Sequence, residues 1–316
     1  MFCRQNNYGF IMKSKTISRF FLCITIVTVF FLFGGNQPVL SQFNKERAFK
    51  YLKQQCNFGP RYPGSENHKK MRDFLVAELR QYTNRVKTQP FMAVNYLENK
   101  RAQGFNVIAS FGEGKTELIL CAHWDSRPKA DHDPSAANRD KPMPAANDGA
   151  SGVAVLLEIA RYLKTTPPPI PVDIVLFDAE DMGREAHENE FLQGSRFFAE
   201  NISYSYKPSA AILLDMVGDR ELQFYVEENS KKFAPDVVDR IWSIAERLGF
   251  PEFVRKTRYA MTDDHIPLIK TGIPAVDIID FDYPYWHTIE DTPDKCSPES
   301  LEKVGRVLLQ YIYGEK

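Results

Sequence analysis

Cysteine is scarce in this sequence, and its spacing excludes a disulfide framework. The chain has 316 residues and 5 cysteines, none of which forms a CxxC pair. Small, loop-rich folds that depend on disulfide bonds have denser cysteine patterns. Cys121 lies in an apolar segment, where a free cysteine behaves as a small hydrophobic residue. A single bridge among Cys56, Cys121 and Cys296 is left open by the sequence.

The sequence also lacks a marked excess of positive or negative charge. The chain has 40 Lys and Arg residues against 41 Asp and Glu residues, a net charge of -1, and its basic residues do not cluster in a stripe. Nucleic acids and anionic membranes select proteins with a strong positive patch, so both are excluded as partners. The composition, with 43% hydrophobic residues, is that of a globular protein. A small or peptide-like ligand is favoured.

Long apolar runs are limited to one, close to the start. Basic residues at 13–19 precede the apolar run 20–33, and small residues follow it. The run is shorter than the roughly 20 residues of a membrane-spanning helix, although an uncleaved anchor is the alternative. We therefore predict a signal peptide over 1–41, cut after Ser41, and a mature domain over 42–316. The mature protein is expected to be periplasmic or secreted, without stable membrane insertion, and monomeric.

Hydrophobic periodicity in the mature chain alternates between helix and strand. Two helices are predicted around a Gly/Pro-rich turn at 59–64, the second beginning at Ser65. Strands are predicted within 87–94, 104–111, 116–125, 172–180, 210–219 and 273–280. Further helices are predicted within 147–164, 234–249 and 297–313. This order predicts an α/β fold in one domain, with a mixed, mostly parallel twisted sheet and helices on both faces.

Acidic and imidazole side chains follow several predicted strands. They are His123, Asp125, Asp148, Glu180, Asp181, Asp215, Asp219 and, in a later segment, His287. Parallel strands bring their carboxyl ends to one edge, so these residues are expected to converge there. Histidine nitrogens and carboxylate oxygens are the ligands of catalytic zinc. Glu180 and Asp181 follow a buried strand, where one can bind a metal and the other can act as general base.

The segments AHWDS, NDGASG, DAEDMG, LDMVGD and WHTIEDT resemble the zinc-dependent aminopeptidase superfamily M28. The resemblance covers essentially the whole mature chain. Within the superfamily, the sequence is most similar to the glutaminyl-peptide cyclotransferases, which convert N-terminal glutamine of peptides to pyroglutamate. It implies an enzyme of this type, with peptide or protein N-termini beginning with Gln as partners.

The two groups of the superfamily imply different metal contents. The aminopeptidases bind two zinc ions. The resemblance assigns His123 and Asp215 to separate metals, with Asp148 as the bridge and Asp181 and His287 as the remaining ligands. His123 and Asp215 are the residues that a possible second metal would require. In the cyclotransferases, one zinc is expected, bound by Asp148, Asp181 and His287. A dizinc aminopeptidase that hydrolyses N-terminal residues is the alternative function.

The remaining site residues are also assigned by resemblance. Glu180 transfers the proton that leaves the α-amine, and Asp215 binds the substrate amide. Asp263, Asp215 and Glu180 form the expected catalytic set. The aminopeptidases commonly carry Ser-Asp-His where this chain has Asp263-Asp264-His265, followed by Ile-Pro as in the cyclotransferases. Asp263 is expected to share a proton with Asp215, and the acid pair would make a poor ligand for a second metal.

One aromatic feature matches the cyclotransferases and another departs from them. Trp286, next to His287, is expected to form a wall of the substrate pocket. The cyclotransferases place a further tryptophan after the catalytic glutamate, and the segment 182–198 has none. Phe191 and His187 are the aromatic candidates to replace it.

Overall fold

A central sheet positions the site residues in the computed structural model, which describes residues 43–314. The predicted signal peptide, 1–41, lies outside the described residues. The strands are β1 (Val86–Asn95), β2 (Lys100–Phe111), β3 (Leu118–His123), β4 (Val172–Phe177), β5 (Ala210–Asp215), β6 (Phe224–Val226), β7 (Phe253–Thr257) and β8 (Ala275–Ile279). Six of them form one sheet in the order β1-β2-β4-β3-β5-β8.

The sheet is mixed and mostly parallel, as predicted. Strands β4, β3, β5 and β8 run parallel to one another, whereas β2 is antiparallel to both β1 and β4. Every residue of β3 and β4 is buried. Strands covered on both faces have continuous apolar sequences, which explains the runs at these positions.

The helices are α1 (Lys45–Asn57), α2 (His68–Tyr82), α3 (Ala150–Thr165), α4 (Gln193–Asn201), α5 (Glu228–Phe233), α6 (Pro235–Arg247), α7 (His265–Lys270) and α8 (Pro298–Tyr313). Ser297 caps α8 by accepting a hydrogen bond from the Ser300 amide at 3.1 Å. The predicted start of α2 at Ser65 was wrong. The Ser65 hydroxyl donates to the Pro60 carbonyl at 2.9 Å, which stabilises the preceding turn, and α2 begins at His68.

Helices cover both faces of the sheet, which confirms the predicted architecture. On one face, Leu120 and Ile212 pack in the large core that includes residues of α1, α3 and α8. On the other face, their neighbours Cys121 and Leu213 pack with Phe198 of α4 and with α7. Alternate side chains of a strand point to opposite faces, so each strand contributes to both cores.

Several short elements were not predicted. Strands β6 and β7 form a separate two-stranded parallel sheet, and α5 and α7 have six residues each. Elements of this length are too short to show a clear period. None of the helices between residues 43 and 314 combines the length and the apolar character needed to cross a membrane.

Candidate active site

The carboxyl ends of β3, β4 and β5 meet at one edge of the sheet, beside a cleft of about 230 Å³. Of the predicted site residues, Asp148, Glu180, Asp181, Asp215, Asp263, Trp286 and His287 line this cleft. His123 is buried beside it, with Nε2 3.1 Å from Asp148 Oδ1. The tertiary structure therefore brings together residues that are scattered over more than half of the mature chain.

Asp148 is held in a tight turn at the start of α3. Gly149 has a φ of +95°, and a Cβ at this position would lie 2.9 Å from both the Asp125 carbonyl oxygen and His123 Cε1. The backbone amides of Asn147 and Asp148 donate to the Asp291 carboxyl group at 2.8 and 3.2 Å. Only glycine fits this conformation and this spacing, so the turn fixes Asp148 relative to His123.

A second strained turn precedes the adjacent carboxylates Glu180 and Asp181. Ala179, directly before them, has a positive φ of 57°. The Asp125 carboxylate accepts hydrogen bonds from the amides of Glu180 and Asp181 at 3.1 and 3.2 Å. Such outliers are often found at functional sites, where surrounding contacts hold them. The turn lets the two side chains make different contacts.

Asp148, Asp181 and His287 form a group that could bind a metal ion. One ligand atom from each lies within 4.8 Å of the others. His287 Nε2 is 3.3 Å from Asp181 Oδ2 and 3.6 Å from Asp148 Oδ2. Both of these carboxylate oxygens are buried and accept no hydrogen bond from the described residues. Two buried, unsatisfied carboxylate oxygens facing an imidazole nitrogen fit a zinc ion.

Arg127 orients this group from behind. Its Nη1 donates to Asp181 Oδ1 at 2.6 Å, and Nε and Nη2 donate to the Asp131 carboxylate at 2.7 and 2.6 Å. Asp131 in turn lies 3.7 Å from His287 Nδ1. Burial raises the pKa of Asp181, but His287 and Arg127 outweigh it and hold that pKa well below its usual range. Partners of this kind fix the orientation of metal ligands.

A second group shares Asp148. Nε2 of His123 lies 3.1 Å from Asp148 Oδ1 and 3.3 Å from Asp215 Oδ1. His123 and Asp215 thus belong to the same candidate group, and their expected binding to separate metals stays a prediction. They are the last residues of β3 and β5, which are neighbours in the sheet, and Asp148 belongs to both groups. The positions of the ligands allow one metal or two.

Glu180 lines the cleft next to the first group without belonging to it. Burial and the negative charge of Asp181 raise its pKa well above the usual range. A carboxyl group with a raised pKa binds a proton more firmly than an exposed one. This property suits Glu180 to a role in which it accepts a proton and later returns it.

Asp263 is buried among other carboxyl groups. Burial and the charges of Asp215 and Asp264 raise its pKa well above the usual range. Asp277 of β8 lies near Asp263, and its pKa is likewise raised, first by burial and then by the charge of Asp263. Crowded carboxyl groups disfavour one another's ionisation. Asp277 was not predicted, because nothing in the sequence distinguishes it from other strand residues.

Aromatic side chains form part of the cleft wall. The ring of Trp286 stacks on His287 with centroids 3.8 Å apart and meets the edge of His132 at 4.6 Å. Phe191 lines the cleft from the segment that lacks the second tryptophan, whereas His187 is exposed and does not line it. Of the two aromatic candidates, only Phe191 is in position.

Two further residues that the sequence predicted in the site lie outside the cleft, and two further residues that support the site were not predicted. Asp219 does not join the site: its carbonyl accepts a hydrogen bond from Ser300 at the start of α8. Asp125 lies behind the cleft and holds backbone amides. Arg127, directly after the AHWDS segment, and Asp291, within WHTIEDT, were missed. Residues that only hold a metal ligand in position do not occur at a characteristic spacing from it, so a single sequence does not reveal them.

Comparisons with known proteins identify a family and similar structures. A model of peptidase family M28 matches residues 106–312. The structure of Tannerella forsythia glutaminyl cyclase is 40% identical in sequence, with a TM-score of 0.82, and the match covers 87% of this chain and 100% of that chain. The structure of a leucine aminopeptidase precursor from Bacteroides thetaiotaomicron is 36% identical, with a TM-score of 0.83, over 87% of this chain and 98% of that chain.

A more distant relative is the glutaminyl-peptide cyclotransferase of the snake Boiga dendrophila. It is 25% identical over 246 residues, which are 66% of this chain and 64% of the snake protein. The chain therefore spans less than two thirds of that relative's length.

Proposed function

Because this chain belongs to peptidase family M28, we propose that it is a zinc-dependent glutaminyl-peptide cyclotransferase that converts N-terminal glutamine of peptides to pyroglutamate with release of ammonia. The observation that carries the proposal is Asp263, a buried carboxyl group beside Asp215 where related aminopeptidases commonly have serine. The close similarity to a bacterial glutaminyl cyclase supports it.

Asp148, Asp181 and His287 would hold one zinc ion. When bound, zinc supplies positive charge that balances the two carboxylates and polarises an amide carbonyl. Arg127 keeps Asp181 ionised and oriented for this role, because its Nη1 occupies Asp181 Oδ1 and leaves Oδ2 free. The Trp286 ring, stacked on His287, would provide a flat surface for the glutamine side chain.

Glu180 would move the proton. In the reaction, the α-amine nitrogen of the substrate attacks the side-chain amide carbon and closes a five-membered ring. Glu180 accepts the proton that the amine loses and returns it to the amide nitrogen, which leaves as ammonia. The nucleophile belongs to the substrate itself, so the site needs only to orient it and exclude water.

Asp215 and Asp263 would bind the substrate amide as an acid pair that shares a proton. A protonated pair carries less negative charge than two carboxylates, which weakens the second group as a metal site. This reasoning favours one zinc ion per chain.

A dizinc aminopeptidase is the second candidate. His123, Asp148 and Asp215 are close enough to hold a second metal, and an aminopeptidase precursor has the same fold. In that function, Glu180 would deprotonate a water molecule instead of the substrate amine.

The deciding experiment compares Gln-initiated and Leu-initiated peptides that are otherwise identical. We expect ammonia release and an N-terminally blocked product from the first peptide, and no reaction with the second. Release of free leucine, without ammonia from the Gln peptide, would overturn the proposal in favour of the aminopeptidase. The zinc content per chain, measured on the same sample, is expected to be one. Export and a monomeric state stay predictions.

A further inference from the structure

The mouth of the cleft has a charged rim that the proposed reaction does not use. The rim loop, residues 183–191, follows β4 and the Glu180-Asp181 turn. Its residues Glu185, Ala186, Glu188 and Phe191 line the cleft. The side chain of Glu185 is 80% exposed, and Glu188 is exposed as well. These two carboxylates therefore lie at the outer end of the cleft, whereas the metal ligands lie at its buried end.

The rim loop is held in place by its own contacts. Arg184 donates to the Glu190 carboxylate, with Nε 2.9 Å from Oε2, and its backbone amide donates to the same oxygen at 3.0 Å. A Cβ on Gly183 would overlap the Phe191 ring, so the loop packs closely against that side chain. The Leu192 amide donates to the Glu180 carbonyl at 2.9 Å. The loop thus has a fixed position relative to Glu180.

Among the described residues, no lysine or arginine forms an ion pair with either rim carboxylate. Arg184 is paired with Glu190, and Arg196 donates to the backbone carbonyls of Asn189 and Glu188. His132 Nε2 is 3.9 Å from a Glu185 carboxylate oxygen, so this imidazole would pair with Glu185 only when it is protonated. No lysine or arginine lines the cleft within the part of the chain that the structure describes.

A further part of the cleft wall is uncharged. It consists of Met261, Thr262 and Phe281. A peptide with its N-terminal residue beside Glu180 and Trp286 would leave the cleft between this wall and the rim loop. Its second and third residues would then pass the Glu185 and Glu188 carboxylates.

We propose that Glu185 and Glu188 determine sequence preference: they favour substrates with Lys or Arg directly after the N-terminal residue and disfavour Asp or Glu there. This inference rests on the proposed function for the identity of the first residue. Exposed charge pairs contribute about 0.2–1 kcal/mol, so each carboxylate is expected to change kcat/KM up to about fivefold. The effect should appear in KM, because the rim contacts parts of the peptide that do not react.

The test measures kcat/KM on three amidated peptides, Gln-Lys-Ala-Phe, Gln-Gln-Ala-Phe and Gln-Glu-Ala-Phe. For the unmodified protein we expect the order Lys, Gln, Glu, with differences that shrink at high salt because exposed charges are screened. Glu185→Gln and Glu188→Gln should each reduce the Lys-to-Glu ratio. Glu200→Gln is the matched control: Glu200 is exposed on α4 and lines a different groove, so the ratio should stay unchanged.

An equal ratio in the unmodified protein and both rim variants would overturn the inference, as would an equal change in Glu200→Gln. If the protein releases N-terminal residues instead of ammonia, the proposed function fails separately. The same comparison with Leu in place of the first Gln then tests the rim by itself.

Discussion

Individual carboxyl groups in this cleft differ in protonation because their immediate neighbours differ. Burial acts to raise the pKa of both Asp181 and Asp263. At Asp181, the interactions with His287 and with the Arg127 guanidinium outweigh the effect of burial, whereas at Asp263 the negative charge of Asp215 adds to it. One aspartate is therefore suited to bind a cation and the other to carry a proton.

The separation of roles between Glu180 and Asp181 can be tested with two isosteric substitutions. Glu180→Gln is expected to lower kcat at least about a hundredfold, because it removes the group that transfers the proton. It should leave zinc binding intact, since Glu180 is outside the ligand group. Asp181→Asn should lose zinc affinity by a similar factor. Activity and zinc content per chain are the measurements, and loss of zinc from Glu180→Gln would reverse the two assignments.

Asp263 is expected to matter as a neutral hydrogen-bonding group. Asp263→Ser should abolish cyclisation and raise the zinc content toward two per chain, because Asp215 becomes free to bind a second metal. Asp263→Asn is the matched variant, since an amide imitates a protonated carboxyl group. It should retain more activity than the serine variant and bind one zinc. Full cyclase activity in Asp263→Ser would show that the acid pair is incidental.

At the scale of whole elements, turns place the ligands, and the turn before α3 is the most constrained. Gly149→Ala should lower the free energy of unfolding by about 2–4 kcal/mol, because it combines a positive φ with an overlap of the new methyl group. Gly249→Ala, after α6, is the control. Gly249 also has a positive φ, of +74°, but nothing lies within 4 Å of the position that a Cβ would take there. In urea unfolding, this control should lower the free energy of unfolding by about 1 kcal/mol. An equal decrease in both variants would show that the overlap of the new methyl group at Gly149 has no effect.

The end of β8 should contribute a pH dependence to stability. Burial raises the pKa of Asp280 to about 7, against about 4 in an unfolded chain. Between these values the folded state binds more protons, so the free energy of unfolding should fall as pH rises, by up to about 1.4 kcal/mol per pH unit. Asp280→Asn should flatten this slope in urea unfolding between about pH 4 and 7. Asp239→Asn, on the exposed face of α6, should leave it unchanged.

At the scale of the whole molecule, Phe43 joins the start of the described chain to its last helix. Its side chain is 5% exposed and packs against Gly305 of α8, where a Cβ would overlap its ring. A chain beginning at Gln42 keeps this contact, and one beginning at Asn44 lacks it. The shorter chain should be less stable by about 2–3 kcal/mol, somewhat less than the usual cost of removing a buried phenylalanine. Equal urea midpoints for the two chains would show that the Phe43 contact does not contribute to stability.

The sequence by itself determined the fold class, because continuous apolar strands alternating with amphipathic helices have few stable arrangements. It also determined the chemistry of the site, since residues such as Asp148 and His287 stand in segments with specific motifs. Only the tertiary structure decided which side chains touch. It grouped His123 with Asp215, joined Asp219 by a hydrogen bond to the start of α8, and placed Asp277 near Asp263. These contacts depend on strand order and on turn geometry between distant segments, which residue types along one chain do not encode locally.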